Sequence, residues 1–122
     1  MSRKLLLAAL AVVIPVGALQ AMTVAAFLEK ADALRARGMM AMFSSDIGLL
    51  KGEVTSAGAT LRAEAAAARQ AGRPPAFCAP ERVQMSSNEL LAFFRSVPPA
   101  QRQRLEVRDA MRFYMVRRFP CR

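Results

Sequence analysis

The two most reactive side chains in this 122-residue sequence are its only cysteines, Cys78 and Cys121. Each lies close to a phenylalanine and a proline, in the runs FCAP and FPC. Two thiolates do not complete a tetrahedral zinc site, and the sequence contains no histidine to add ligands. In an oxidising compartment an even number of cysteines in a small domain indicates a disulfide, and these two form the only intramolecular pair. We therefore predict a disulfide that closes the segment 78–121, and no metal site.

Carboxylate pairs that could share a proton occur twice, as Glu29 with Asp32 and as Glu106 with Asp109, each three residues apart on a predicted helix. Both pairs lie among basic residues, which favours surface ion pairs over a shared proton. The sequence also lacks a glycine-rich phosphate loop and a nucleophile elbow. Without histidine or a free thiol, the chain offers no evident general base or nucleophile. We predict that it is not an enzyme, has no catalytic residue and holds no cofactor.

The first 21 residues show the three parts of a secretory signal peptide. Arg3 and Lys4 form a positive start, residues 5–14 are uninterruptedly apolar, and small residues follow a proline. Such an apolar run is too short to span a bilayer as a helix, which needs about 20 residues. We predict a signal peptide over residues 1–21, a periplasmic location, and a single helical domain over residues 22–122.

Two cleavage positions fit the preference for small residues, one after Ala18 and one after Ala21. We favour Ala21, because Thr23 then lies at the new N-terminus and can cap the first helix. The alternative is an uncleaved signal that anchors the protein in the inner membrane.

The chain is strongly basic, with 18 lysines and arginines against 9 aspartates and glutamates and a net charge of +9. Such a charge indicates an acidic partner. A periplasmic location argues against nucleic acid and leaves acidic proteins, anionic lipid headgroups and cell-wall polymers. A solvated basic surface without a partner is the alternative. The candidate partner-binding residues are four arginines of the last helix and of the turn before it: Arg102, Arg104, Arg108 and Arg112.

Apolar residues at three- and four-residue steps predict two helices in the N-terminal half. The first begins after Thr23 and ends at Gly38, and the second runs from Ser44 to about Ala71. An apolar connector joins the two helices, and we expect its side chains to fill gaps in the core: Met39, Met40, Met42 and Phe43.

Two glycines on the second helix, Gly48 and Gly52, lie four residues apart and share one face. Glycine weakens a helix by up to about 1 kcal/mol relative to alanine, so its presence here needs a reason. We expect this face to allow the close approach of another helix. A kink or break near Gly52 is the alternative.

Two more helices are predicted in the C-terminal third. Ser86 and Glu89 have the spacing of a capping box at the start of the third helix, which a pair of prolines ends. We expect a polar turn over residues 100–104 and a last helix that begins near residue 105. Because no strand pattern is present, the predicted fold class is all-α, a small bundle of four or five helices with one disulfide.

The same third of the chain carries a family resemblance. FCAP at 77–80, a helix that ends at Val97 before proline, an amphipathic helix around Ala110, and FPC at 119–121 occur in this order. Together they resemble the Rap/Tai-type immunity proteins of type VI secretion amidase effectors. Proteins of that family are small, periplasmic and all-α, and disulfides stabilise them. They bind a peptidoglycan-cleaving amidase and block its active-site cleft, often as dimers.

The resemblance implies an exported inhibitor whose partner is a secreted amidase effector, and it makes a homodimer a candidate state. A non-enzymatic structural or membrane-associated envelope protein is the alternative, held by an uncleaved signal or by basic contact with anionic lipid.

Overall fold

The computed structural model describes residues 21–122, of which 71% are helical. The predicted signal peptide lies outside the described residues except for Ala21, and so does the alternative cleavage site after Ala18. The helical elements, in order, are α1 (Val24–Arg37), a 3-10 turn (Gly38–Phe43), α2 (Ser45–Gln70), α3 (Ser87–Ser96), α4 (Pro99–Arg102) and α5 (Val107–Arg118). Within residues 21–122 there is no β-strand, which confirms the predicted all-α class.

Both N-terminal helices begin at the predicted caps. The Thr23 hydroxyl accepts a hydrogen bond from the Ala26 N–H at 3.2 Å, and the Ser44 hydroxyl accepts one from the Asp46 N–H at 3.2 Å. Gly38 ends α1 with a φ of 56°, a left-handed value that costs glycine little and other residues more. The sequence therefore sets the ends of the α1–α2 hairpin through local hydrogen bonds.

The expectation for Gly48 and Gly52 was wrong. A Cβ atom at either position would meet no neighbouring heavy atom within 4 Å, so no helix packs closely on this face within the described chain. The alternative of a break is also wrong, because α2 is one continuous helix of 26 residues. Its buried face, rather than its glycines, holds it in the bundle.

The core lies where α1, α2, α3 and α5 meet. Phe94, Leu61, Val24 and Val107 are its largest fully buried side chains. The rings of Phe27 and Phe94 pack edge to face, with centroids 5.2 Å apart. These residues come from the apolar stripes that the sequence predicts, and their burial is the main stabilising contribution to the fold.

A short antiparallel bridge ties the start of α1 to the start of α5. The Val24 N–H donates to the Leu105 carbonyl at 2.9 Å, and the Val107 N–H donates to the Met22 carbonyl at 2.9 Å. These bonds satisfy backbone groups at two helix N-termini that would otherwise lack partners. As a result, Met22 and Thr23 are fixed against the start of α5.

The predicted disulfide is present. Cys78 and Cys121 are bonded, with their Cα atoms 4.9 Å apart. Next to it, the Cys78 N–H donates to the Phe119 carbonyl at 2.8 Å, and the Phe77 side chain is buried. The bond therefore joins the irregular chain before α3 to the segment after α5.

The predicted polar turn over residues 100–104 contains part of a helix instead. Pro99 begins α4, which ends at Arg102. Proline suits the first position of a helix, because its fixed φ fits and the missing N–H would have no helical partner there. The first proline of the pair therefore follows the end of α3, and the second starts α4.

Candidate functional site

Arg102, a predicted binding residue, bonds to the end of α3. Its Nε donates to the Val97 carbonyl at 2.7 Å, and a terminal guanidinium nitrogen donates to the Arg95 carbonyl at 2.6 Å. Carbonyls at a helix C-terminus lack helical partners, and a guanidinium can satisfy two of them at once. Arg102 therefore fixes the turn between α3 and α4.

Arg112 joins α5 to α2. Its guanidinium contacts the Glu64 carboxylate at 2.9 Å and the Asp109 carboxylate at 2.7 Å. The hydrogen bonds with Glu64, and next those with Asp109, raise the pKa of Arg112 above its ordinary value. Two carboxylates already engage this side chain, so its charge is largely compensated within the protein.

The other two predicted binding arginines differ in exposure. Arg108 is half-buried, pairs with Glu106 at 3.2 Å, and has a buried Nε without a hydrogen-bond partner in the described chain. Arg104 is exposed, and its side chain forms no hydrogen bond or ion pair with residues 21–122. The structure therefore brings three of the four arginines into intramolecular contacts and leaves Arg104 open to solvent.

The expectation that the apolar connector fills the core was wrong. Its four side chains form an exposed cluster at the end of the α1–α2 hairpin, here called the apolar tip: Met39, Met40, Met42 and Phe43. Their exposed fractions range from 68% for Met40 to 85% for Phe43. The tip follows Gly38, where the chain turns out of α1, and its main neighbour is α1 itself. No helix of the described chain is placed to cover it.

One sequence signal could have identified the tip. Apolar residues occupy nearly every position of the connector, without the three- and four-residue spacing of the flanking helices. Consecutive side chains of a tight 3-10 turn point in different directions, so they cannot all face one core. The absence of periodicity therefore indicated exposed side chains, even though each residue type suggested burial.

An apolar groove of about 440 Å³ lies between α1, α2 and the start of α3. Leu34 and Ile47, which flank the apolar tip in sequence, line it together with Leu50, Leu90 and Leu91. Such a groove can accept apolar side chains of differing shape, because Met85, which also lines it, adapts its conformation at low cost.

The surroundings of the tip and the groove are basic. Arg35 and Arg37 are exposed in the last turn of α1, and Lys51 lines the groove. The nearby acidic residue Asp46 is paired with Lys30 at 3.5 Å. The apolar surface therefore has a positively charged rim, which favours a partner with acidic groups around an apolar centre.

Within residues 21–122, no cluster of three or more histidine, cysteine or acidic residues could hold a metal ion. None of the helices in the same part of the chain combines the length and the apolar character needed to cross a bilayer. The apolar tip with its groove and basic rim is the candidate recognition surface.

No family model, curated protein or solved structure matches this chain. The resemblance of segment 77–121 to the immunity proteins therefore stays a prediction.

Proposed function

We propose that this chain is an exported, non-catalytic binding protein of the immunity type, which neutralises a peptidoglycan amidase effector by occluding its active site. The observation that carries the proposal is the apolar tip, whose four large apolar side chains are between 68% and 85% exposed. The tip and the adjoining groove are the contact surface. The immunity assignment itself rests on the resemblance of segment 77–121.

Four large apolar side chains that are exposed this close together favour a role in binding over a role in stabilising the fold. A soluble domain gains no stability from side chains that remain in water, whereas covering one completely is worth about 1.5–3 kcal/mol. Contiguous apolar patches rimmed by polar residues commonly mark interaction sites. Phe43 is the most exposed of the four and is the natural anchor for a pocket on the partner.

The basic rim supports a specific class of partner surface. Arg35, Arg37 and Lys51 would face the edge of any protein that covers the tip and the groove. Complementary charges at an interface rim accelerate association and suppress wrong partners. We therefore expect the partner's cleft to be apolar inside and acidic at its edge.

Calorimetric titration with a candidate peptidoglycan amidase effector tests this proposal. We expect nanomolar binding, and a loss of about 100-fold in affinity when Met42 and Phe43 are both replaced by serine. The matched control is Arg104→Glu, which alters an exposed residue outside the tip. If the serine variant binds normally and the Arg104 variant does not, the arginine surface is the contact and the tip is not.

A membrane-associated envelope protein is the second candidate, and the same tip supports it. The apolar side chains of the tip can insert into the headgroup region of an anionic bilayer. The two arginines in the last turn of α1 can then contact the negatively charged headgroups. Co-sedimentation with vesicles that contain phosphatidylglycerol distinguishes the candidates. Vesicle binding that the two serine substitutions abolish, without amidase binding, would replace the inhibitor proposal with this one.

The homodimer implied by the resemblance is a separate proposal. Two copies that meet at the tip would bring their basic rims together, which disfavours that contact at low ionic strength. Sedimentation velocity at two salt concentrations tests it, and a dimer that weakens as salt rises would contradict the tip as the dimer contact.

A further inference from the structure

Met22 occupies an unusual position in the described chain. Its backbone N–H donates to a carboxylate oxygen of Glu53, on α2, at 3.2 Å. Its carbonyl accepts from the Val107 N–H at 2.9 Å, and its side chain packs against the core. One residue before it, Ala21 is half-buried and belongs to no helix. Met22 is therefore held between α2 and α5, and its backbone nitrogen faces a carboxylate.

The partner of this nitrogen is an acidic side chain. Glu53 is half-buried, and within residues 21–122 its side chain forms no ion pair. A hydrogen bond from a neutral amide compensates a carboxylate less than one from a cation, because charge-assisted hydrogen bonds are roughly twice as strong. The site would hold an ammonium group better than the amide.

We propose that hydrolysis of the Ala21–Met22 peptide bond is the processing step of this protein, and that the α-ammonium group it creates on Met22 forms an ion pair with Glu53. Water supplies the hydroxyl that leaves with Ala21 as its carboxyl group. The released nitrogen gains a proton and becomes the ammonium group. The new chain terminus then lies where Glu53 already accepts a hydrogen bond.

The position of Glu53 distinguishes cleavage after Ala21 from cleavage after Ala18. Cleavage there would leave three residues ahead of Met22, so Glu53 would still face a neutral amide and the ammonium group would lie elsewhere. Ala21 also meets the small-residue requirement of signal cleavage. This inference shares only the expectation of export with the proposed function, and it is independent of the partner.

Intact mass spectrometry tests the position of the cut. The full chain, with its own N-terminal segment, is expressed in a Gram-negative host and the periplasmic fraction is analysed without reductant. We expect the mass of residues 22–122 with one disulfide. A chain that begins at Leu19, or one that retains Met1, would overturn the proposal, whatever the protein binds.

The ion pair is tested by Glu53→Gln, which preserves the shape and an acceptor oxygen but removes the charge. In the exported protein we expect the folding equilibrium constant to fall about three- to tenfold, as measured by urea denaturation. Glu29→Gln is the matched control, because Glu29 is an exposed carboxylate on α1, and we expect no change for it.

A second pair of variants shows whether Glu53 bonds to an ammonium group or to an amide N–H of Met22. Insertion of Gly-Ser directly after Ala21 moves the new terminus away from Glu53 while the Met22 amide stays in place. We expect Glu53→Gln to have a smaller effect in this extended protein. An equal effect with and without the extension would show that Glu53 accepts only an amide hydrogen bond, and the ion pair would be rejected.

Discussion

The disulfide-closed segment 78–121 and the apolar tip use their side chains in opposite ways. In the closed segment, polar groups bond within the protein, as Arg102 does with two carbonyls and Arg112 with two carboxylates. In the tip, four large apolar groups remain in water. Three of the four arginines expected to bind a partner are therefore engaged within the protein, whereas the four side chains of the tip, expected to fill the core, are exposed.

The difference arises from how far each side chain can reach and from how many other residues surround it. An arginine on a small helical bundle lies within reach of carbonyls at helix ends and of carboxylates on the next helix, so intramolecular partners engage it first. A side chain at the end of a hairpin has neighbours on one side only. Basic composition is therefore a weaker sign of a binding surface than apolar groups that no neighbour covers.

The sharpest comparison replaces the same residue type in both regions. Phe94→Ala should lower the free energy of unfolding by about 3–5 kcal/mol, because Phe94 is fully buried and packs edge to face on Phe27. Phe43→Ala should change it by less than about 0.5 kcal/mol, because its side chain is 85% exposed. Urea denaturation measures both. Similar losses for the two variants would show that the tip is part of the core in solution.

Breaking the Cys78–Cys121 bond should also affect stability strongly. The bond removes conformational entropy from the unfolded chain, and its reduction should lower the free energy of unfolding by up to about 4 kcal/mol. Both cysteines are exposed, so a reductant can reach them without unfolding. Denaturation with and without dithiothreitol gives the difference. Unchanged stability would mean that α5 stays in place without the bond.

The arginines allow a smaller, matched comparison. Arg112→Ala should cost about 1 kcal/mol, because it removes two ion pairs at a partly exposed site, one of which joins α5 to α2. Arg104→Ala should be neutral within about 0.5 kcal/mol. Thermal unfolding at matched concentration tests both. A larger loss for Arg104 would contradict the division between structural and exposed arginines.

The smallest predicted effect concerns pH and the capping box of α3. A hydrogen bond from the Ser86 backbone N–H lowers the pKa of the Glu89 carboxyl below 4.5, its unperturbed value. Because the folded-state pKa is the lower one, the charged form favours folding above that unperturbed value, and this contribution disappears as the pH falls through the lowered pKa. Glu89→Gln should therefore be less stable than the native protein at pH 7 and equal to it in strong acid.

Denaturation over a pH series measures that difference, with Glu81→Gln as the control at an exposed carboxylate. A difference that persists in strong acid would mean that shape, rather than charge, makes the capping box effective.

Local signals allowed most helix ends to be predicted. Thr23, Gly38 and the Ser86–Glu89 box act through hydrogen bonds and backbone angles within a few residues, and these depend little on tertiary contacts. The disulfide followed from residue count and compartment. Whether another helix packs on the face of α2 that carries Gly48 could not be predicted, because a glycine leaves room for a neighbour without requiring one.

For the candidate site, the residues were visible in the sequence but their roles depended on tertiary structure. Whether Arg112 meets Glu64 depends on the packing of α5 against α2, which no local pattern specifies. Whether Met39 is covered depends on where the other helices end. Only Arg104 kept the exposure that its position in a polar turn suggested.

The antiparallel bridge between Thr23 and Glu106 joins residues that are far apart in the sequence. As the polypeptide is synthesised, the α1–α2 hairpin emerges long before residues 105–107, so Phe27 lacks Phe94 and the bridge lacks its second half. Contacts between distant parts of a sequence slow folding and leave apolar surface open in the meantime. A version truncated before α5 would lack the hydrogen bond from Val107 to Met22 and the α5 side chains that complete the core.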